Sequence, residues 1–250
     1  MSHATCKQGA TLSDPPSRGR SGRLDRITGH TFIPALLPER AIVLDLGANH
    51  GTFSKTISQR YGCECHCVEP NPEVWKGIET GPLIHTYNLA ATEQDAPIRL
   101  HISSNSESSS TLPLASEPQA PVVEVEGLTL ASLIDRLKLP RVDFLKVDIE
   151  GAETGLFRSC GDELLTRIPQ ISVEFHEMMG LTRHDEMLAL FARMSALGFE
   201  VIKMSLRHYA DVLFINTELT GVSRNRARVL RHFDRNVAVL GRALRQYGLR

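Results

Sequence analysis

Val43-Leu44-Asp45-Leu46-Gly47-Ala48-Asn49-His50-Gly51-Thr52-Phe53 runs from apolar residues into a turn bracketed by Gly47 and Gly51, then into a helical pattern. With Ala41 and Ile42 in front, the apolar run is short and unbroken, which suits a strand buried on both faces. Glycines at the turn remove side chains, so backbone can approach a ligand closely. The helix opening at Thr52 points its first N–H groups the same way. Strand, glycine turn and helix in this order predict the first unit of a Rossmann-like α/β fold.

The alternation continues along the chain. Cys65 to Glu69 reads as a second strand, closed by Pro70-Asn71-Pro72, where Asn71 can cap a helix and Pro72 suits its first turn. A third strand is expected over residues 83–89. Two β segments, 98–103 and 122–126, flank a serine-rich loop around Ser103 to Ser110, for which a lid over the substrate and a disordered insertion are both open readings. Thr129 caps a short helix over 130–137. Val142 to Gly151 supplies another strand and its exit, followed by a helix over 152–165 and a strand over 171–176. Residues 183–197 are helical, with Met187, Leu190, Phe191 and Met194 on one side and Gly198 as the C-terminal cap. Strands over 199–204 and 212–215 have no helix between them. The pattern predicts a mostly parallel, doubly wound sheet with an antiparallel hairpin at one edge.

The glycine spacing narrows the ligand. Dinucleotide folds carry G-x-G-x-x-G, whereas here Asp45, Gly47 and Gly51 give D-x-G-x-x-x-G. A carboxylate beside the turn repels a pyrophosphate and attracts an ammonium group. S-adenosylmethionine offers an α-amino group and a sulfonium and has no phosphate. Asp45, Gly47, Asn49 and Gly51 are therefore expected to hold its methionine end. Glu69, at the end of the next strand, is expected to accept the ribose hydroxyls, and Asn88, after the third, to meet the adenine edge.

At this point the chain resembles the FkbM-type methyltransferases. The resemblance is carried by Asp45 to Gly51, by Val68-Glu69-Pro70-Asn71-Pro72, by Asn88-Leu89-Ala90-Ala91, by Phe144 to Glu153, and by Val173-Glu174-Phe175-His176-Glu177. These segments run in family order from about residue 40 to 216, and Lys146 to Glu153 is the most specific of them. The resemblance implies a class I methyltransferase fold and methylation of a hydroxyl on a sugar, glycan or polyketide-type small molecule.

An unactivated alcohol is a poor nucleophile, so transfer to it calls for a general base or a metal. Lys146, Asp148 and Glu150 alternate along one strand and its exit; Glu174 and His176 alternate at the end of the next. Asp148, His176 and Glu150 are the expected catalytic residues, with His176 as base because imidazole titrates near neutrality. The plainer alternative gives Lys146, Glu150 and Glu174 to structural ion pairs. Nothing in the spacing of these residues demands a metal, and none is expected.

Composition sets the outer bounds. In 250 residues the net charge is −1, which gives no general case for a nucleic-acid partner. No apolar run is long enough to cross a bilayer, and the start lacks the apolar core of a secretory signal, so a cytoplasmic protein is expected. Residues 1–23 read as a disordered polar tail, 24–220 as the methyltransferase domain, and 221–250 as a basic amphipathic C-terminal helix. In that last segment Leu230, Phe233, Val237, Leu240, Leu244 and Tyr247 form an apolar stripe. The stripe packs on the chain's own body or offers a surface for a homodimer or an acidic partner. Cys63, Cys65 and Cys67 are spaced awkwardly for one tetrahedral ion and read as buried thiols. Two other functions stay open: RNA or protein methylation, and a cofactor-binding module without turnover.

Overall fold

A computed structural model describes residues 23–102, 109–110, 121–205 and 208–230. The expected N-terminal tail, most of the serine-rich loop and the apolar stripe beyond Leu230 lie outside the described residues. The described residues open with a hairpin, β1 (Asp25–Ile27) and β2 (His30–Phe32). It continues through β3 (Ile42–Leu46), α1 (Thr52–Tyr61), β4 (Glu64–Val68), α2 (Pro72–Trp75) and β5 (Ile84–Tyr87). Next come β6 (Ala90–Ala91), β7 (Ala96–Ile102), β8 (Ser109–Ser110), β9 (Val122–Leu128) and α3 (Leu130–Arg136). The last part holds β10 (Phe144–Val147), α4 (Glu153–Ser159), α5 (Asp162–Leu165), β11 (Gln170–Val173), α6 (His184–Ala196), β12 (Phe199–Lys203), β13 (Val212–Asn216), α7 (Thr217–Thr220) and α8 (Arg224–Val229).

Seven strands form the main sheet in the order β12-β13-β11-β10-β3-β4-β5. From β11 to β5 every pairing is parallel, and β13 runs antiparallel to both β11 and β12. The sheet is thus the doubly wound one that the sequence predicts, with β13 inserted between β11 and the edge strand β12. Successive residues of the central strands enter different apolar clusters. Leu44, Leu46, Leu145 and Val147 join one, and Val43 and Phe144 join the other. Period-two alternation between two cores is what a sheet covered on both faces requires, and it explains why β3 reads as a continuous apolar run. The expected caps form: Asn71 Oδ1 accepts from the Glu73 N–H at 3.0 Å, and Thr129 Oγ1 from the Ser132 N–H at 3.3 Å.

Two features go beyond the sequence-based expectation. The hairpin turns through Thr28 and Gly29, both at positive φ, as a two-residue turn between twisted strands demands. It is clamped to the sheet by Asp211, whose carboxylate accepts from the Arg26 guanidinium at 2.8 Å, the Thr31 N–H at 3.1 Å and the Thr31 hydroxyl at 2.7 Å. The Ile33 N–H also donates to Gln170 Oε1 at 2.9 Å. The second feature is a four-stranded sheet, β6-β9-β7-β8, built from the segment between β5 and α3. The thiols of Cys63, Cys65 and Cys67 are fully buried, as expected, and burial pushes Cys67 up to about 12. Leu230, the first residue of the expected stripe, packs against Ile33, Ile202 and Leu213.

Candidate active site

At the carboxyl ends of β3, β4 and β10 lies a cleft of about 750 Å³, open solvent at its mouth included. Its floor is set by the turn after β3. Gly47 adopts φ +72°, and a Cβ there would stand 1.7 Å from the carbonyl oxygen of Asp148. Any side chain at this position would collide with a neighbouring backbone. The exits of β3 and β10 are therefore packed backbone to backbone, and Gly47 lines the cleft with its own main chain. Gly51 caps α1 and presses on Ile78 rather than on the cleft.

Lys146 locks this junction. It is 3% exposed, and its Nζ donates to Gly47 O at 2.6 Å, pairs with Asp45 Oδ1 at 3.0 Å, and lies 3.6 Å from Asp148 Oδ2. Burial disfavours the ammonium, yet the charges of Asp45, Asp148 and Glu69 outweigh that and hold its pKa above the ordinary lysine value. Lys146 and Asp45 thus form a buried ion pair between β10 and β3, in the middle of the sheet.

Asp45 stands beneath the cleft. It is 0% exposed, and its Oδ2 accepts from Ser54 Oγ at 2.7 Å. Where the sequence suggests direct contact with a ligand's ammonium, the structure gives the carboxylate to Lys146 and Ser54. Asn88 Nδ2 donates to the carbonyls of Glu69 and Pro70 at 2.9 and 2.8 Å, bracing the β4 exit, and the residue is not among those that line the cleft.

Asn49 and Glu69 do line the cleft, beside Val68, Val74, Ala90, Ile98 and Leu100. Glu69 Oε2 accepts the Asn49 N–H at 2.8 Å and Oε1 the Asn71 N–H at 2.9 Å. Burial raises the Glu69 pKa against the pull of those two bonds. Asn49 Oδ1 is buried with no hydrogen-bond partner, an acceptor that calls for a donor from a ligand. Two acceptors facing an apolar wall fit a nucleoside that brings hydroxyl and ammonium donors and a flat base. Ile98 and Leu100, absent from the sequence-based site, come from β7. Their alternation is the signal that one face of that strand is used.

On the far side of Asp148 is a cluster of charges. Asp148 Oδ1 lies 3.6 Å from His176 Nε2, and Asp148 Oδ2 lies 3.6 Å from His30 Nε2. His176 also meets Glu150 Oε2 at 3.4 Å and, through Nδ1, Glu153 Oε1 at 2.8 Å. The structure thus brings Asp148, Glu150 and His176 together, as expected. It adds Glu153, His30 and Glu174, whose Oε2 is 4.0 Å from His30 Nε2.

The environment changes the expected roles. Burial works against a charged His176, but the hydrogen bond to Glu153 and the charges of Glu153, Glu150 and Asp148 win, and its pKa rises to about 9. An environment that favours the charged ring works against the expected role of a neutral imidazole base. Asp148 goes the other way: burial would raise it, but Lys146, with help from His176, holds it well below the usual carboxylate range. Burial, with Asp148, Glu153 and Glu174 nearby, raises Glu150 despite the opposing charge of His176. Glu150 also holds φ +51°, strained for a residue with a side chain, and it lines the cleft.

Residues 45–201 match the model of the methyltransferase FkbM domain. The chain belongs to the FkbM methyltransferase family. An FkbM-domain methyltransferase draws its methyl group from S-adenosylmethionine, which is therefore the cofactor of this chain. No curated protein sequence matches it. Among solved structures, the chain is similar to one described as a type II methyltransferase from Anaeromyxobacter dehalogenans, at 13% identity and a TM-score of 0.31. That match covers 56% of this chain, which spans only 43% of the other. It is also similar to a TehB-like SAM-dependent methyltransferase from Corynebacterium glutamicum (12% identity, TM-score 0.40, 73% and 83% covered). A third is M. capricolum TrmK in complex with S-adenosyl-homocysteine (8% identity, TM-score 0.37, 73% and 65% covered). Among the described residues no helix is long and apolar enough to cross a membrane.

Proposed function

We propose that this FkbM methyltransferase is an O-methyltransferase acting on a hydroxyl of a sugar, glycan or polyketide-type small molecule. The observation that carries the reading is the juxtaposition of Asp148 and Glu150, both lining the cleft, with the buried His176. Asn49 and Glu69 hold the methionine and ribose ends of the cofactor, and Val68, Val74, Ile98 and Leu100 enclose its base. When bound, the cofactor supplies a methyl group made electrophilic by its sulfonium. Asp45, through Lys146, keeps the glycine turn in shape and acts at one remove. The buried thiols fit a reducing, cytoplasmic setting.

Glu150 receives the proton. A bound cofactor would give its methyl group to the acceptor's oxygen and leave as the neutral thioether, and the hydroxyl proton would pass to the Glu150 carboxylate. His176, anchored by the buried Glu153, holds Glu150 in position, and Asp148 keeps a fixed negative charge beside them.

Two outcomes are expected from variants. Glu69→Gln weakens binding of S-adenosylhomocysteine about tenfold or more, because a charge-assisted hydrogen bond is worth about 1.5–3 kcal/mol; calorimetry reads this directly. Glu150→Gln lowers turnover by about 10²–10⁴-fold, the usual worth of a positioned general base, with unchanged affinity for S-adenosylhomocysteine. Turnover is measured with methyl-labelled cofactor and a panel of hydroxylated sugars, glycans and polyketides. Label appearing only in RNA or protein would defeat the small-molecule reading, and wild-type turnover by Glu150→Gln would remove that residue from proton transfer.

A further inference from the structure

We propose that His30, Asp148 and Glu174 bind a divalent transition-metal ion of the manganese type, at the side of the cleft where the acceptor hydroxyl is placed. The sequence alone suggests no metal, because His30 lies more than a hundred residues from the carboxylates and reaches them only through the clamped hairpin. This inference deepens the O-methyltransferase reading and rests on it for its chemistry, but not for its test.

His30 carries the argument. It is 1% exposed, and its Nε2 makes no hydrogen bond, although it points between Asp148 Oδ2 at 3.6 Å and Glu174 Oε2 at 4.0 Å. A buried, unbonded imidazole nitrogen is costly unless something occupies the space before it. The ring is held by its other nitrogen, 3.3 Å from Ser172 Oγ, and by edge contact with Phe53. With the proton assigned to Nδ1 and directed at Ser172, Nε2 presents a lone pair to the two carboxylates, the usual outer-shell arrangement of a metal-ligating histidine.

Geometry and charge agree. His, Asp and Glu atoms all lie within 4.8 Å of one another. Ligands at about 2.1 Å from an ion stand ~3.0 Å apart at adjacent corners of the octahedral shell that manganese takes. From 3.6 and 4.0 Å, the His30 separations must close by up to about 1 Å, which rotation of the partly exposed Asp148 and Glu174 side chains can supply. Five carboxylates (Asp45, Asp148, Glu150, Glu153 and Glu174) surround one lysine, Lys146, and two histidines. That surplus of negative charge suits a dication. Imidazole with carboxylates favours first-row ions of intermediate hardness over magnesium or calcium. An ion here lowers the pKa of an acceptor hydroxyl that reaches it and orients its oxygen. His176 is a poorer choice of ligand, because Glu153 and Glu150 already occupy both its nitrogens. The other His-rich group, Glu64, His66 and His85, lies on β4 and β5, and Glu64 Oε1 there already meets both rings, at 3.7 and 3.2 Å.

The test uses the full chain, treated with chelator, dialysed and titrated with Mn²⁺, with free ion read by electron paramagnetic resonance. Wild type should take up about one ion per chain. His30→Ala and Glu174→Gln should each weaken uptake tenfold or more, and all three proteins should bind S-adenosylhomocysteine with equal affinity. If His30→Ala does not fold, Glu174→Gln, at a partly exposed side chain, decides alone. No uptake by wild type, or uptake undiminished in the variants, overturns the assignment. Because ion and S-adenosylhomocysteine are titrated separately, failure of the cofactor reading would show as lost nucleoside binding with ion uptake intact.

Discussion

Gly47→Ala should abolish cofactor binding and unfold much of the protein, whereas Gly62→Ala should cost only about 1–2 kcal/mol. Both glycines hold positive φ, +72° and +68°, so both substitutions carry the left-handed backbone penalty of about 1–2 kcal/mol. They differ in what a new Cβ meets. At Gly62 nothing lies within 4 Å. At Gly47 the methyl would sit 1.7 Å from Asp148 O and 2.8 Å from its carbonyl carbon. Those atoms cannot swing away as a side chain could, since β3 and β10 are paired through Leu46 and Val147 and the Asp148 N–H donates to Leu46 O at 3.1 Å. Relief requires parting two central strands. Thermal melts and calorimetry with S-adenosylhomocysteine on the two variants decide this, and equal behaviour would show that the strand exits are looser than the structure has them.

Lys146→Met should destabilise the protein by about 3–5 kcal/mol, the usual cost of leaving one member of a buried ion pair behind. Asp45, 0% exposed, would then keep only Ser54 as a partner, and the Gly47 carbonyl would lose its donor. With about 2–4 °C per kcal/mol for a chain of this size, the melting temperature should fall by roughly 10 °C. Much of that loss is the penalty of an orphaned charge, so adding Asp45→Asn should recover part of it. A double variant whose loss equals the sum of the two single losses would mean that the pair is not coupled.

The same pair shows how far residues predict a site. The β3 strand, its glycine turn and the α1 helix are legible because each depends on neighbours in sequence: an apolar run, glycines where side chains are excluded, a helix start. Glu69 is legible for a similar reason, since a strand end in an alternating fold faces the ligand side. Asp45 is not. Its position beside the turn suggests a ligand contact, but Lys146, on the adjacent strand, reaches it first. The Asn88 Nδ2 is likewise taken up by the carbonyls of Glu69 and Pro70. His176 shows the limit for ionisation: a residue type indicates an ordinary pKa, whereas Glu153, Glu150 and Asp148 push this one to about 9.

From its sequence alone, this protein is determined to be a doubly wound α/β chain with the FkbM methyltransferase segments in order and a glycine turn after its first parallel strand, because period, caps and turn residues are local properties of a chain. Which side chains confront one another across the cleft is decided only by the tertiary structure. His30 joins Asp148 and Glu174, and Ile98 and Leu100 wall the cleft, through a hairpin and a small sheet that dock from far along the chain. Coulomb interaction and desolvation depend on distance in space, and no spacing in sequence carries that distance.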